Sequence, residues 1–229
     1  SCTALIGPNG VGKTTLLRLA TGVLQCASGS VMLHDQPLQT FARKSLARTI
    51  ALVPQQLEVP FPFTVRQIVE QGRTPYLSFL SGPSRPDRDA VDRALDLANV
   101  TGMEHRIFNE RSGAERERVK IALALAQQPK LLLLDEPTHS LDIGRQIELI
   151  DLLHLLRAEG ITILASMHDL PLIEGNFSSV LLLRPDAPLL SGTTGTVLKP
   201  AILEEAFNCP PRRYPSLLKP KQICTERAG

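Results

Sequence analysis

Nine consecutive residues, Gly7-Pro8-Asn9-Gly10-Val11-Gly12-Lys13-Thr14-Thr15, fit the spacing G-x-x-x-x-G-K-[ST], and their types suit the wrapping of a polyphosphate. Gly7, Gly10 and Gly12 free the backbone to turn successive N–H groups inward, and a helix opening at the end of the loop adds its partial positive charge. Pro8 and Asn9 belong to the same loop. Lys13 can reach the β- and γ-phosphates as a point charge. Thr14 can offer its hydroxyl to Mg2+, and Thr15 extends donors toward the α- and β-phosphates. A glycine turn that merely caps a helix needs neither the lysine nor the hydroxyl beside it.

Cleaving a bound triphosphate also takes a carboxylate to hold the metal and a group to orient the attacking water. Asp135 and Glu136 directly follow the leucines at 131–134, at the carboxyl end of a buried strand where α/β sheets gather ligands. Asp135 is suited to hold Mg2+ through water, and Glu136 to polarise the water that attacks. The plainer reading of the pair is an acidic helix N-cap. His168, just past the apolar run 161–165, suits a γ-phosphate sensor, while a single histidine also reads as a solvated or core residue. Gln55, just past the run 49–53, can bring its amide to the metal or to the water.

Such a site needs strands that end together. The stretches 4–6, 49–53, 131–134, 161–165 and 180–183 read as short buried strands, and 30–33 as another, followed by a turn at His34-Asp35-Gln36-Pro37. Helices are expected from the end of the phosphate loop, over 64–71 with Thr64 as N-cap, over 87–98, over 114–128 and over 143–158. Ala90, Val91, Ala94, Leu95, Leu97 and Ala98 give one of them a buried stripe; Val119, Ala122, Leu123 and Ala126 give another, which Pro129 stops. This alternation predicts an α/β fold with a mostly parallel sheet covered on both faces. Pro60, Pro62, Pro75, Pro83 and Pro86 mark a change of character, so a helical subdomain is expected over about 61–112 within a domain of 1–209, and a Pro-rich, basic tail over 210–229.

With 229 residues, 43% of them hydrophobic, the chain suits one large domain. A net charge of +2 without a long Lys/Arg block argues against an electrostatic nucleic-acid binder. Its apolar runs fall far short of the roughly 20 residues that span a bilayer, so a membrane role is expected to be peripheral. Cys2, Cys26, Cys209 and Cys224 are scattered without C-x-x-C spacing. They suggest neither a zinc site nor a disulfide framework, and point to a reducing compartment. No basic and apolar leader opens the chain, so no export signal is expected.

Six strings stand in a telling order: the phosphate loop, Val53-Pro54-Gln55, Ser112-Gly113-Ala114-Glu115, the stretch 131–137, Ser140-Leu141-Asp142 and Met167-His168-Asp169. In this the chain resembles the ATP-binding cassette (ABC) ATPases of transporters. The resemblance implies a P-loop NTPase fold of the ABC type. Lys13 and Thr14 then match Walker A, Asp135 and Glu136 Walker B, Gln55 the Q-loop glutamine (also near the metal), His168 the switch histidine, and Ser140 to Asp142 the D-loop. It further implies ATP and Mg2+, and a head-to-tail homodimer in which Ser112, Gly113, Ala114 and Glu115 cap the nucleotide of the opposite subunit. An integral membrane permease and, indirectly, a substrate-binding protein would be partners, at the cytoplasmic face of the inner membrane and without nucleic acid. Gly72-Arg73-Thr74-Pro75-Tyr76 after Phe63-Thr64-Val65, with Leu141-Asp142-Ile143 and Gln146, resembles ATPases of iron-siderophore, haem and cobalamin importers; strings of the helical region are expected to face the membrane partner.

Two departures stand out. The family signature Leu-Ser-Gly-Gly-Gln or -Glu reads Arg111-Ser112-Gly113-Ala114-Glu115 here. If the backbone at 114 takes a positive φ, a side chain there costs roughly 1 kcal/mol, and Arg111 places charge where an apolar anchor is usual, so reduced turnover is expected. The family's adenine-stacking aromatic and its edge strands are expected upstream of Ser1. Two further classes stay open on sequence: a soluble cassette ATPase acting on nucleic acid or in translation, and a degenerate nucleotide-binding module that regulates without turnover.

Overall fold

A computed structural model describes residues 1–78, 82–139 and 141–208. Ser140 of the expected D-loop, Cys209, Cys224 and the expected tail at 210–229 lie outside the described residues. In chain order the elements are β1 (Cys2–Ile6), α1 (Lys13–Ala20), β2 (Met32–Leu33), β3 (Gln36–Pro37), α2 (Arg43–Thr49), β4 (Ile50–Val53), α3 (Val65–Glu70), α4 (Arg85–Leu97) and α5 (Gly113–Ala126). There follow β5 (Leu131–Leu134), α6 (Ile143–Ala158), β6 (Thr162–Ser166), α7 (Leu170–Asn176), β7 (Ser179–Arg184), β8 (Ala187–Thr193), α8 (Thr194–Val197) and α9 (Pro200–Phe207).

The main sheet has the order β4-β5-β6-β1-β7-β8, parallel throughout except for the antiparallel pair β7/β8. Both of its faces are covered, which is why its strands read as unbroken apolar runs. Ala4, Ile6, Ala51, Val53, Leu132, Leu134, Ile163 and Ala165 point into one core with α5 and α6. Leu5 and Leu133, one residue out of phase, point into the other with Leu17 of α1 and Leu38. No helix among the described residues is long and apolar enough to cross a membrane. Cys2 is buried and Cys26 half-buried, both as free thiols; burial pushes Cys2 up to about 11.

Three expectations change. The turn after β2 is only two residues long: His34 and Asp35 both have positive φ, +48° and +60°, and Gln36–Pro37 pairs back as β3, as the tight primed hairpin turns do. Helix α5 is buried on almost every side rather than along one stripe, because it is wedged between β4 and helices α3 and α4; Leu123 is among its less buried residues. The pairing of β8 with β7 and the short helices after it were not expected, since Pro188 and Gly192 hide the strand, and an edge position tolerates both. Capping boxes at Thr64, Ser84 and Ser112 fix the starts of α3, α4 and α5.

The Gly72-to-Tyr76 string also differs from expectation at its centre. Gly72 and Arg73 are buried. The Arg73 guanidinium reaches Asp87 at 2.9 Å and Ala126 O at 2.7 Å and lies 3.7 Å over the Tyr76 ring, whose hydroxyl donates to Gln127 O at 2.9 Å. The string thus clamps the end of α5 to α4. A Cβ at Gly72 would sit 2.3 Å from Leu123 O and 2.8 Å from Ala126 Cβ. Gly72→Ala is therefore expected to lower unfolding free energy by roughly 1–3 kcal/mol, the usual cost of overpacking, read from urea denaturation; a change under about 0.5 kcal/mol would show that α3 and α5 can part freely.

Candidate functional site

Strand β1 lies between β6 and β7, and the chain leaves its end through Gly7. There φ is +151° and an added Cβ would meet Leu183 O at 2.5 Å, so glycine alone fits. Gly10 and Gly12 also take positive φ, and Gly12 precedes α1 with no side chain capping the helix. The first-turn N–H groups of α1 are thus not taken by a cap. Lys13 is 5% exposed, and its Nζ donates to Gly7 O at 2.9 Å and Pro8 O at 3.2 Å, inside the curve of the loop. Burial lowers the Lys13 pKa, and the negative charges of Glu136 and Asp135 oppose that shift. Thr14 is half-buried and Thr15 exposed on the same turn.

Register does the rest of the assembly. Val53 is paired with Leu134, and Leu134 with Ala165, so the residues that follow them leave the sheet side by side. Gln55 Nε2 donates to Glu136 Oε2 at 2.8 Å. His168 Nε2 stands 2.6 Å from Glu136 Oε1, and since a carboxylate only accepts, the imidazole donates. Each oxygen of Glu136 is therefore held by a different strand end. Asp135 beside it is buried at 5% exposure. The structure brings Lys13, Gln55, Asp135, Glu136 and His168 to one edge of the sheet.

Ser166 was not singled out from the sequence. It is fully buried; its Oγ donates to Asp135 Oδ1 at 2.9 Å and accepts from Glu136 N–H at 2.7 Å. Glu136 has φ +52°, a left-handed conformation that disfavours a side chain, and Ser166 pins its backbone there. The one signal available was a small polar residue ending an apolar strand.

Ser112, Gly113, Ala114 and Glu115 form the start of α5. The Ser112 hydroxyl accepts from Glu115 N–H at 3.3 Å, and Glu115 accepts from Ser112 N–H at 2.8 Å, which holds its carboxyl below the usual range. Ala114 lies within the helix and has no positive φ, so the expected backbone cost at that position does not arise. Arg111 is accommodated locally, donating to Ile107 O at 3.2 Å with Glu110 at 3.7 Å. Asp142 caps α6 by accepting from Arg145 N–H at 2.9 Å. No hydrogen bond or ion pair among the described residues joins Asp142 or 112–115 to the loop 7–15.

Removing the serine hydroxyl leaves a buried carboxylate and a partly buried N–H each short of a partner. Ser166→Ala is expected to cost roughly 1–3 kcal/mol of unfolding free energy, and in a cycle with Asp135→Asn to show coupling above about 0.5 kcal/mol. Strictly additive losses in denaturant titrations would separate Ser166 from Asp135.

Over residues 1–139 the chain matches the ABC transporter family. It is 35% identical over 206 residues to the ferric enterobactin transport ATP-binding protein of Escherichia coli, covering 90% of this chain and 76% of that protein. It is 40% identical over 168 residues to a petrobactin import ATP-binding protein of Bacillus anthracis, covering 73% of this chain; the match spans only 62% of that relative's length. Its fold superposes with a TM-score of 0.80 on a metal-chelate type ABC transporter in an inward-facing conformation, at 30% identity, covering 91% of this chain and 78% of that one. On these matches the chain belongs to the ABC transporter family, among its ATP-binding proteins.

Proposed function

We propose that this chain binds ATP in the loop 7–15 and hydrolyses it as the ATPase subunit of an importer for a metal chelate, an iron-siderophore by the names of its relatives. The observation that carries the hydrolytic reading is the Glu136 carboxylate, bonded at one oxygen by Gln55 and at the other by His168, at the strand end next to the loop that holds Lys13. A carboxylate so fixed can take a proton from a water only in a narrow range of directions, which is what a general base at a γ-phosphate requires. Lys13 would exchange its bonds to the Gly7 and Pro8 carbonyls for charge-assisted bonds to phosphate oxygens.

The residues at this edge fit Mg2+. The Thr14 hydroxyl, the buried Asp135 carboxylate and the Gln55 amide oxygen are all hard donors. When bound, Mg2+ would neutralise charge on the phosphates.

Ser112, Gly113 and Asp142 are exposed, and among the described residues no hydrogen bond joins them to their own chain's loop. In our reading they serve the nucleotide held by a second copy, so two copies of the chain close head to tail around two ATP molecules. The segment after Gln55 carries Phe61 and Phe63, 62% and 38% exposed; with the helical region 61–112 it would meet an integral permease, at the cytoplasmic face of the inner membrane. A substrate-binding protein would then hand the chelate to that permease.

Glu136→Gln keeps the size and shape of the side chain and removes the base. It is expected to retain ATP binding, to lose turnover by roughly 100-fold or more, and to elute as an ATP-dependent dimer in size-exclusion chromatography. A variant that stays monomeric with bound ATP would contradict the two-copy site.

A further inference from the structure

Lys120 is buried along α5, with 6% of its side chain exposed. Its ammonium donates to Pro54 O at 2.8 Å and to Gln55 O at 2.9 Å, and stands 2.6 Å from Glu117 Oε2. All three donors are thereby used. Two of the three bonds end on consecutive backbone carbonyls at the point where the chain leaves β4, and the second belongs to the residue whose side chain donates to Glu136.

The pair is an expensive way to fill this space. The other oxygen of Glu117 is buried without a hydrogen-bond partner, and burial pushes its carboxyl up to about 6 against the pull of Lys120. Apolar side chains of similar volume would generally pack here at equal or better stability. What they would not supply is a grip on the backbone at 54–55.

We propose that Lys120, with Glu117 as its counter-charge, is a positioning residue for Gln55, tying the signature helix α5 to the backbone that aims the glutamine at Glu136. Lys120 stands eight residues beyond Ser112, about 12 Å along the helix. A displacement of α5 from its Ser112 end is therefore passed to the Gln55 backbone, and through its amide to the carboxylate. The kinetic consequence rests on the hydrolytic reading given above; the tie itself can be tested without it.

The test replaces both members, Glu117→Met with Lys120→Met, so that neither charge is left buried alone, in the full chain. Amide exchange of residues 55–58, followed by mass spectrometry, is expected to rise about tenfold while exchange in β5 stays unchanged. Steady-state kinetics should show kcat reduced about tenfold with KM for ATP within about twofold. The same double replacement in a Gln55→Ala background should add no further loss, because the residues act in one chain of contacts. Unchanged exchange at 55–58 in the folded variant overturns the tie, and an equal loss of kcat with and without Gln55 overturns its action through Gln55. A wild-type chain with no ATPase activity would refute the hydrolytic reading instead, and the exchange result would then decide the tie. Should the double replacement fail to fold, Lys120→Arg, which keeps donors toward the two carbonyls, must preserve the exchange protection that Lys120→Gln loses; equal protection in both contradicts the tie.

Discussion

Parallel pairing in register is the constraint on which the site depends. Ile6, Val53, Leu134 and Ser166 end strands β1, β4, β5 and β6, and because these strands run the same way their carboxyl ends lie along one edge. One residue of slip in β5 would turn Leu132 and Leu134 into the opposite core and move Asp135 away from Ser166. The register is held by apolar contacts on both faces, so the chemistry at the edge is paid for by leucine, valine and alanine several residues away.

That edge stores local tension. Glu136 adopts a left-handed backbone, pinned by the Ser166 hydroxyl, while its carboxylate is shared between Gln55 and His168. Lys13 lies buried within the electrostatic reach of the same two acids, which help it keep its proton against burial. The arrangement is held in place before anything binds: Gln55 and His168 fix the Glu136 carboxylate, and the Gly7 and Pro8 carbonyls hold the Lys13 ammonium inside the loop. The signature at 112–115 is organised differently, as a reciprocal helix cap on the exposed start of α5, and Lys120 links that helix back to the edge.

Much of this could be read from the sequence because the relevant signals are local. A glycine-lysine-hydroxyl run, an acidic pair after four leucines and a histidine just past an apolar run each announce themselves within a few residues. Thr64 marks a helix start by the ordinary capping rule. What escaped depends on distant partners. Ser166 looks like any polar residue at a strand end until Asp135 is seen 2.9 Å away. Lys120 and Glu117 look like the solvated side of a helix, yet α5 is enclosed, and only the packing of β4, α3 and α4 reveals that. The Gly72-Arg73 string reads as a surface motif because a sequence match says nothing of burial; Asp87 and Ala126, which explain it, are 14 and 53 residues from Arg73. The altered residue at 114 is the converse case, since its helical conformation removes the expected backbone cost.

The decisive measurement is a double-mutant cycle on ATP turnover between Gln55→Ala and His168→Ala. If both act by holding the one Glu136 carboxylate, each single variant should lose activity and the double variant should be little worse than the weaker single, a coupling of about 1 kcal/mol or more. Losses that simply multiply would mean that Gln55 and His168 act independently, and that the clamp on Glu136 is not what fixes the base.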